Sequence, residues 1–304
     1  MQRPASRLLL TLSVLAALTL LLWGLSTRPT ESARFDGKRA YRDVQTQVNF
    51  GARVPGSEAH ARTVDWIQSE LGAAGWQAQV QQAEMLGHPI RNVVAERGSG
   101  RPWVILGAHY DSRARADRDP NPENRDLPVP GGNDGASGVA VLLELARTLP
   151  AESTGRVTLV FFDAEDQGDL PGWDWILGSR AFADALQGTP DAVIVVDMIG
   201  DADLQIFYER SSSAALRESI WDAAQTQGYG DIFKPQIRHH ILDDHTPFLQ
   251  KNLKAADLID FDYPYWHTLE DTADKVSSAS LQAVGDTLLY WLRQQGETWS
   301  LSTP

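Results

Sequence analysis

Four apolar runs in this chain each end in residues that can bind a metal or move a proton. WVILGA runs into His109, Tyr110 and Asp111, and VTLVFF runs into Asp163, Glu165 and Asp166. VIVV stops at Asp197, and the segment beyond AADLI reaches Trp266 and His267. Short aliphatic and β-branched runs of this kind predict buried strands. Helical patterns alternate with them: SGVAVLLELARTL, GSRAFADALQ, LRESIWDAAQTQG and the stretch Thr246 to Lys251. That alternation predicts one α/β domain, a mostly parallel twisted sheet with helices on both faces. In such sheets sites gather beyond the carboxyl ends of the strands. A parallel arrangement therefore puts all four chemical tips on one rim.

The remaining patterns extend this domain without dividing it. Tyr41, Val44 and Val48 predict a helix before GARVPGS, and Val64, Ile67 and Leu71 a second helix over about His60 to Ala74. AQVQQAEM and RNVVAER read as strands, and LQAVGDTLLYWLRQQ as a closing amphipathic helix. No internal repeat and no boundary appears, so residues 31–304 are expected to form a single catalytic domain. Ahead of it, Arg3 and Arg7 precede Leu8 to Leu25, about eighteen residues without a charge. A positive start followed by an apolar stretch predicts an export signal or a short N-terminal membrane anchor within residues 1–30. Either form places the rest outside the cytoplasm, periplasmic or extracellular, with membrane contact only through this segment.

Charge and cysteine content narrow the chemistry. With 27 Lys and Arg against 40 Asp and Glu, the formal charge of −13 argues against nucleic acid as a partner. It fits cationic ligands such as peptide N-termini. There is no cysteine, which removes disulfides, thiolate nucleophiles and cysteine metal sites together. Any metal must be held by His, Asp and Glu.

Those residue types stand at the strand tips and in the turn between the first two. PGGNDGASGV, Pro130 to Val139, places Asp134 just before a helix, where it can cap the helix, ligate a metal, or do both. Zinc takes imidazole and carboxylate ligands and keeps an open position for catalysis. His109, Asp134, Asp166, Asp197 and His267 with one bridging carboxylate would make a two-metal site. Asp134, Asp166 and His267 alone would make a one-metal site. In both cases Glu165, beside a ligand but pointing differently, is the expected general base.

GARVPGS, GAHYDS, GGNDGASGVAVLLELAR, FFDAED, GSRAFA, VDMIG, DDHTPFL and YPYWHTLEDTADKV occur here in order, over Gly51 to Val276. This ordered set resembles the zinc-dependent aminopeptidases and the related glutaminyl cyclases, and implies a zinc exopeptidase-like fold. In the peptidase branch the resemblance implies two zincs: His109 and Asp197 on one, Asp166 and His267 on the other, with Asp134 bridging. In the cyclase branch it implies one zinc on Asp134, Asp166 and His267, with Glu165 as proton shuttle backed by Asp197 and Asp243. Both branches usually have Glu-Glu where this chain has Glu165-Asp166. The shorter aspartate needs the metal closer to its strand.

Two features tilt the reading toward a glutaminyl-peptide cyclotransferase acting on peptide or protein N-termini. Asp243 opens an Asp-Asp-His run as in the cyclases, and Trp266 directly precedes the last ligand. An indole there would wall a pocket for a folded-back glutamine. Tyr263 is expected to join that wall, with Trp173 and Trp175 read as plain packing. Asp243 and Asp197 are expected to raise the pKa of Glu165 by like-charge repulsion. The loop Arg113 to Pro130 is read as a surface excursion rather than a lid. Convergence of His109 and Asp197 on a second cation position would favour the peptidase.

Overall fold

The computed structural model describes residues 34–150 and 155–300, the side chains of 296–300 excepted. The apolar segment Leu8 to Leu25 lies outside them. Among the described residues no helix is long and apolar enough to cross a membrane.

The main sheet contains β1 (Gln77–Met85), β2 (His88–Ser99), β3 (Trp103–His109), β4 (Gly155–Phe162), β5 (Ala192–Asp197) and β8 (Ala255–Ile259). Their order is β1-β2-β4-β3-β5-β8. The run β4-β3-β5-β8 is parallel, as the alternation predicted, and β1 and β2 add antiparallel strands at one edge. The edge hairpin follows from its two-residue link. Leu86 and Gly87 both take positive φ, 53° and 83°, as a type I′ turn requires. Every residue of β3, β5 and β8 is buried, which is why these strands read as continuous apolar runs rather than alternating ones.

Helices cover both faces. On one side α1 (Gly37–Phe50), α2 (Glu58–Ala73), α3 (Ala136–Thr148), α5 (Ala214–Thr226) and α7 (Ser278–Ser300) supply the larger core, with Val44, Ile67, Leu142, Ile220 and Leu288. On the other, α4 (Leu177–Ala185) and α6 (Thr246–Gln250) pack Phe182 and Phe248 against Phe162, Val193 and Val195. Close approach fixes some small residues. A Cβ on Gly138 of α3 would lie 2.5 Å from the Val196 carbonyl oxygen, so α3 reaches β5 only with glycine there.

A second sheet pairs β6 (Ile206–Glu209) with β7 (Phe233–His239) in parallel. Sequence patterning misses both strands, since β7 holds Pro235 and is mostly exposed. This pair leads the chain into Ile241 to His245, beside the tips of the main sheet.

Candidate active site

The register of the parallel strands brings the chemical residues level. His109 is opposite Phe162 at the end of β4, and Asp197 is opposite Ile259 at the end of β8. Past three of the tips the backbone turns at non-glycine residues in the left-handed region: Ala164 (φ 51°) and Met198 (φ 46°) close behind β4 and β5, and His267 (φ 55°) farther beyond the end of β8 at Ile259. Each costs roughly 1–2 kcal/mol. Such strain persists where surrounding contacts hold it, commonly at functional sites. Here it turns Glu165, the residues after Asp197, and His267 toward one space.

Two triads meet at one carboxylate. His109 Nε2 lies 3.0 Å from Asp134 Oδ1 and 3.1 Å from Asp197 Oδ1. His267 Nε2 lies 2.9 Å from Asp166 Oδ1 and 3.9 Å from Asp134 Oδ2. Asp134 thus turns one oxygen to each triad. Its capping role drops away: α3 begins at Ala136 and no side chain caps it. Both triads are buried and have the spacing of a metal-holding group, as does a third set, Asp243, His245 and Asp257. Of that third set only Asp243 reaches the cavity wall.

The donors of Asp134, Asp166 and His267 fit a divalent cation. Asp166 is buried, yet neither of its oxygens accepts a hydrogen bond, and its 2.9 Å approach to His267 lacks hydrogen-bond direction. Two lone-pair donors aimed at a shared space, with a second carboxylate beside them, is the ligand chemistry zinc takes. Aspartate in place of the expected glutamate still reaches the group.

Side chains that have no role assigned in the motif reading hold this arrangement, Asp111 at the tip of β3 among them. Asp111 accepts the backbone N–H groups of Glu165 (3.0 Å) and Asp166 (3.3 Å), fixing that pair directly. Asp271 does the same for Asn133 (2.7 Å) and Asp134 (3.2 Å). Arg53, from GARVPGS, is fully buried and donates to the carbonyls of Tyr110, Pro130 and Gly131. Tyr263 corrects an expectation. It does not line the cavity, because its hydroxyl is committed to Asp271 at 2.7 Å, behind the Asp134 turn. The only sequence signals for these roles were polar residues next to the motifs. Their partners lie far away along the chain.

Electrostatics at the rim are dominated by crowded acids. Burial pushes the Glu165 carboxyl well above its usual range; Asp244, Asp166 and Asp243 add to the rise and His109 opposes it. The expected contribution of Asp243 is therefore present but secondary to burial, and Asp244 joins it. Burial likewise lifts Asp197 to about 7, against His109, and lifts Asp166 to about 6, with help from Asp134. Asp134 goes the other way: burial would raise it, but hydrogen bonding to His109 and the charges of His109 and His267 together outweigh burial and lower it. His267 rises to about 9, since Asp166 and other carboxylates overcome burial. A cation bound among these acids would relieve their mutual repulsion.

A cavity of about 260 Å³ opens onto the triads, walled by Trp175, Trp266, Phe261, Ile241 and Leu242, with Glu165, Asp197 and Asp243 also facing it. Trp266 and Trp175 flank His267, at ring-centroid distances of 3.9 Å and 6.1 Å. Trp175 is thus part of the wall, while Trp173 stacks on His88 instead. The loop Arg113 to Pro130 is a surface excursion over residues 120–128, which are largely exposed, but it is anchored on either side of them. Arg113, Ala116, Asp119 and Val129 are buried, and the Arg118 N–H donates to the His267 carbonyl. It packs on the last ligand because its alternating charges find partners there.

The architecture recurs in known proteins. The structure is similar to a Zn-dependent exopeptidase from Parabacteroides distasonis, with a TM-score of 0.82 and 32% identity over 86% of this chain and 99% of that one. It is equally similar to the glutaminyl cyclase of Bacteroides thetaiotaomicron bound to N-acetylhistamine, with a TM-score of 0.82 and 31% identity, again over 86% and 99%. In sequence it is 24% identical to the glutaminyl-peptide cyclotransferase of Gloydius blomhoffii, over 61% of this chain and 60% of that one. The match thus spans less than two thirds of that enzyme's length. The profile of peptidase family M28 matches residues 92–292, from inside β2 to the body of α7, and so takes in every triad residue. With both halves of the triads and their scaffold inside that match, the chain belongs to peptidase family M28.

Proposed function

We propose that this chain is a glutaminyl-peptide cyclotransferase, converting N-terminal glutamine of peptides to pyroglutamate with release of ammonia. One observation carries the reading. Among the described residues, the proton-exchanging groups that face the small indole-flanked cavity beside Asp134, Asp166 and His267 are the crowded buried acids Glu165, Asp197 and Asp243, with the exposed His240 at its edge, and burial raises Glu165 well above its usual range. The cavity is closed in by aromatic and aliphatic side chains and suits one terminal residue with its side chain folded back. The structural likeness to glutaminyl cyclases supports the same reading.

Asp134, Asp166 and His267 would hold one zinc ion. Zinc there supplies a Lewis acid that polarises a carbonyl oxygen. The remaining chemistry falls to the chain. Trp266 and Trp175 enclose the glutamine side chain so that its γ-carbonyl carbon lies near its own α-amine, which turns the reaction into a favoured intramolecular one. As the amine nitrogen bonds to that carbon, Glu165 takes a proton from the nitrogen. When the carbon–nitrogen bond of the side-chain amide breaks, Glu165 returns that proton to the departing ammonia. A raised pKa suits a carboxyl group that must act as base and then as acid. Asp243 and Asp197 face the same cavity and complete the acid set.

A second reading, a two-zinc aminopeptidase, is favoured by His109 lying against both Asp134 Oδ1 and Asp197 Oδ1, three residues with the spacing of a second cation site. There Glu165 would take a proton from water attacking the first peptide bond. The experiment that separates the two supplies a Gln-initiated peptide and Leu-p-nitroanilide to the purified protein. Ammonia release without chromophore supports the cyclase, and chromophore release alone contradicts it. As an exported enzyme the protein would meet free peptide N-termini outside the cytoplasm, and secretion of a tagged chain tests that placement.

A further inference from the structure

We propose that Arg113 and Asp117 form a positioning clamp that sets His267 and Asp166 at the spacing a zinc ion requires. The inference rests on the metal reading of that group given above. Asp117 stands between two buried partners. Its Oδ1 lies 3.2 Å from His267 Nδ1. Its two oxygens also accept hydrogen bonds from Arg113 Nε (2.9 Å) and Nη2 (2.7 Å), the paired geometry of a guanidinium with a carboxylate.

Arg113 reaches the other ligand. It is 1% exposed, and its Nη1 donates to the carbonyl oxygens of Asp166 and Gly168, 3.1 Å each. The same nitrogen lies 3.6 Å from Asp166 Oδ1. A single guanidinium thus ties the backbone of one ligand to the carboxylate that faces the imidazole of the other. It also lies 4.9 Å over Trp175, whose ring is nearly parallel to that of His267, so the cavity wall is keyed to the same hub.

The consequence for the imidazole is specific. A carboxylate at Nδ1 keeps the proton on that nitrogen and leaves the Nε2 lone pair facing Asp166, the tautomer a metal ligand needs. Lysine could not replace Arg113, because a point charge cannot pair with a carboxylate in two bonds while holding two carbonyls. The clamp also bears on the shorter side chain at position 166. With one methylene fewer than glutamate, Asp166 depends on backbone placement for its reach, and Arg113 fixes that carbonyl. An ordinary ion pair in a partly exposed loop would contribute little. What separates this one is the buried imidazole as third partner.

The test is zinc affinity, read by competition with a chromophoric chelator on the full-length protein. The wild type is compared with Asp117→Ala, Asp117→Asn, Arg113→Lys and Asp126→Ala. Asp126 pairs with Arg115 on the exposed part of the same loop, so its removal serves as the control. Loss of a partner behind a ligating histidine typically weakens metal binding about 10–100-fold, and that loss is expected for Asp117→Ala. Asp117→Asn and Arg113→Lys should fall between it and the wild type, and Asp126→Ala should match the wild type. Metal-free melting of Asp117→Asn should stay close to wild type, which a merely structural role would not allow together with weaker zinc. Wild-type zinc affinity in Asp117→Ala would overturn the clamp alone. If Asp117→Ala fails to fold, the same result in Asp117→Asn and Arg113→Lys overturns it. A wild type that takes up no zinc would overturn the metal reading and the clamp with it.

Discussion

Replacing Glu165 with glutamine should cost most of the activity while making the metal-free protein more stable at alkaline pH. The side chain is 8% exposed and is not one of the three ligands, so glutamine keeps its size and leaves zinc binding in place. General acid–base catalysis is worth about 10²–10⁴-fold, or roughly 2.7–5.4 kcal/mol at 1.36 kcal/mol per factor of ten. That is the expected fall in kcat for ammonia release. The stability effect has the opposite sign. Burial raises the folded-state pKa of Glu165 above its unfolded value, so over that window the folded chain binds more protons than the unfolded one. Stability is then fully present below the unfolded pKa and falls as pH rises through the folded one. Glutamine carries no such penalty, so Glu165→Gln should melt above wild type at pH 8 and with it at pH 4. The assay pairs coupled ammonia detection with thermal melts of chelator-treated protein at both pH values. A variant within tenfold of wild-type kcat, or one that melts below wild type at pH 8, would refute the reasoning.

Other substitutions separate the remaining roles. His109→Ala should keep cyclase activity within about tenfold, since the one-zinc mechanism does not use it, whereas a two-zinc enzyme would lose about 10² or more in kcat, on the scale of a missing catalytic group. Trp266→Ala should raise KM for Gln-peptides, because the indole walls the cavity beside His267. Tyr263→Phe should leave KM unchanged but destabilise the fold by about 1.5–3 kcal/mol, the worth of a hydrogen bond to a charged group, measured by denaturant unfolding. Gly178→Ala should cost about 1–3 kcal/mol as an overpacked core, because its Cβ would lie 2.2 Å from the Asp163 carbonyl oxygen.

The chemistry of the rim was legible because the strands announce themselves. A buried parallel strand is apolar along its whole length, so the first charged residues after β3, β4 and β5 mark the tips, and the register of a parallel sheet does the rest. His109, Glu165, Asp166 and Asp197 were found that way, and His267 lies beyond the tip of β8. Residues that act from behind the rim carry no such mark. Asp111, Asp271 and Arg53 matter because of partners 54, 137 and 78 positions away, and no local pattern encodes those distances. Tyr263 misled for the same reason: an aromatic near a ligand reads as a wall, and only Asp271 reveals where its hydroxyl goes. Gln77 to Ser99 read as two strands but not as an antiparallel pair, although Leu86-Gly87 between them was the available signal. The strand β6 stayed hidden because it is only four residues long, and β7 because it is largely exposed with a proline inside it.

The central claim is that one zinc on Asp134, Asp166 and His267, with Glu165 as the shuttle, closes N-terminal glutamine into a ring. The most direct measurement counts ammonia released per Gln-initiated peptide while zinc per chain is determined on the same preparation and Leu-p-nitroanilide is run alongside. The account predicts ammonia and pyroglutamyl peptide in equal amounts, one zinc per chain, and no chromophore. Chromophore release with two zincs per chain, and no ammonia from the Gln-peptide, would contradict it.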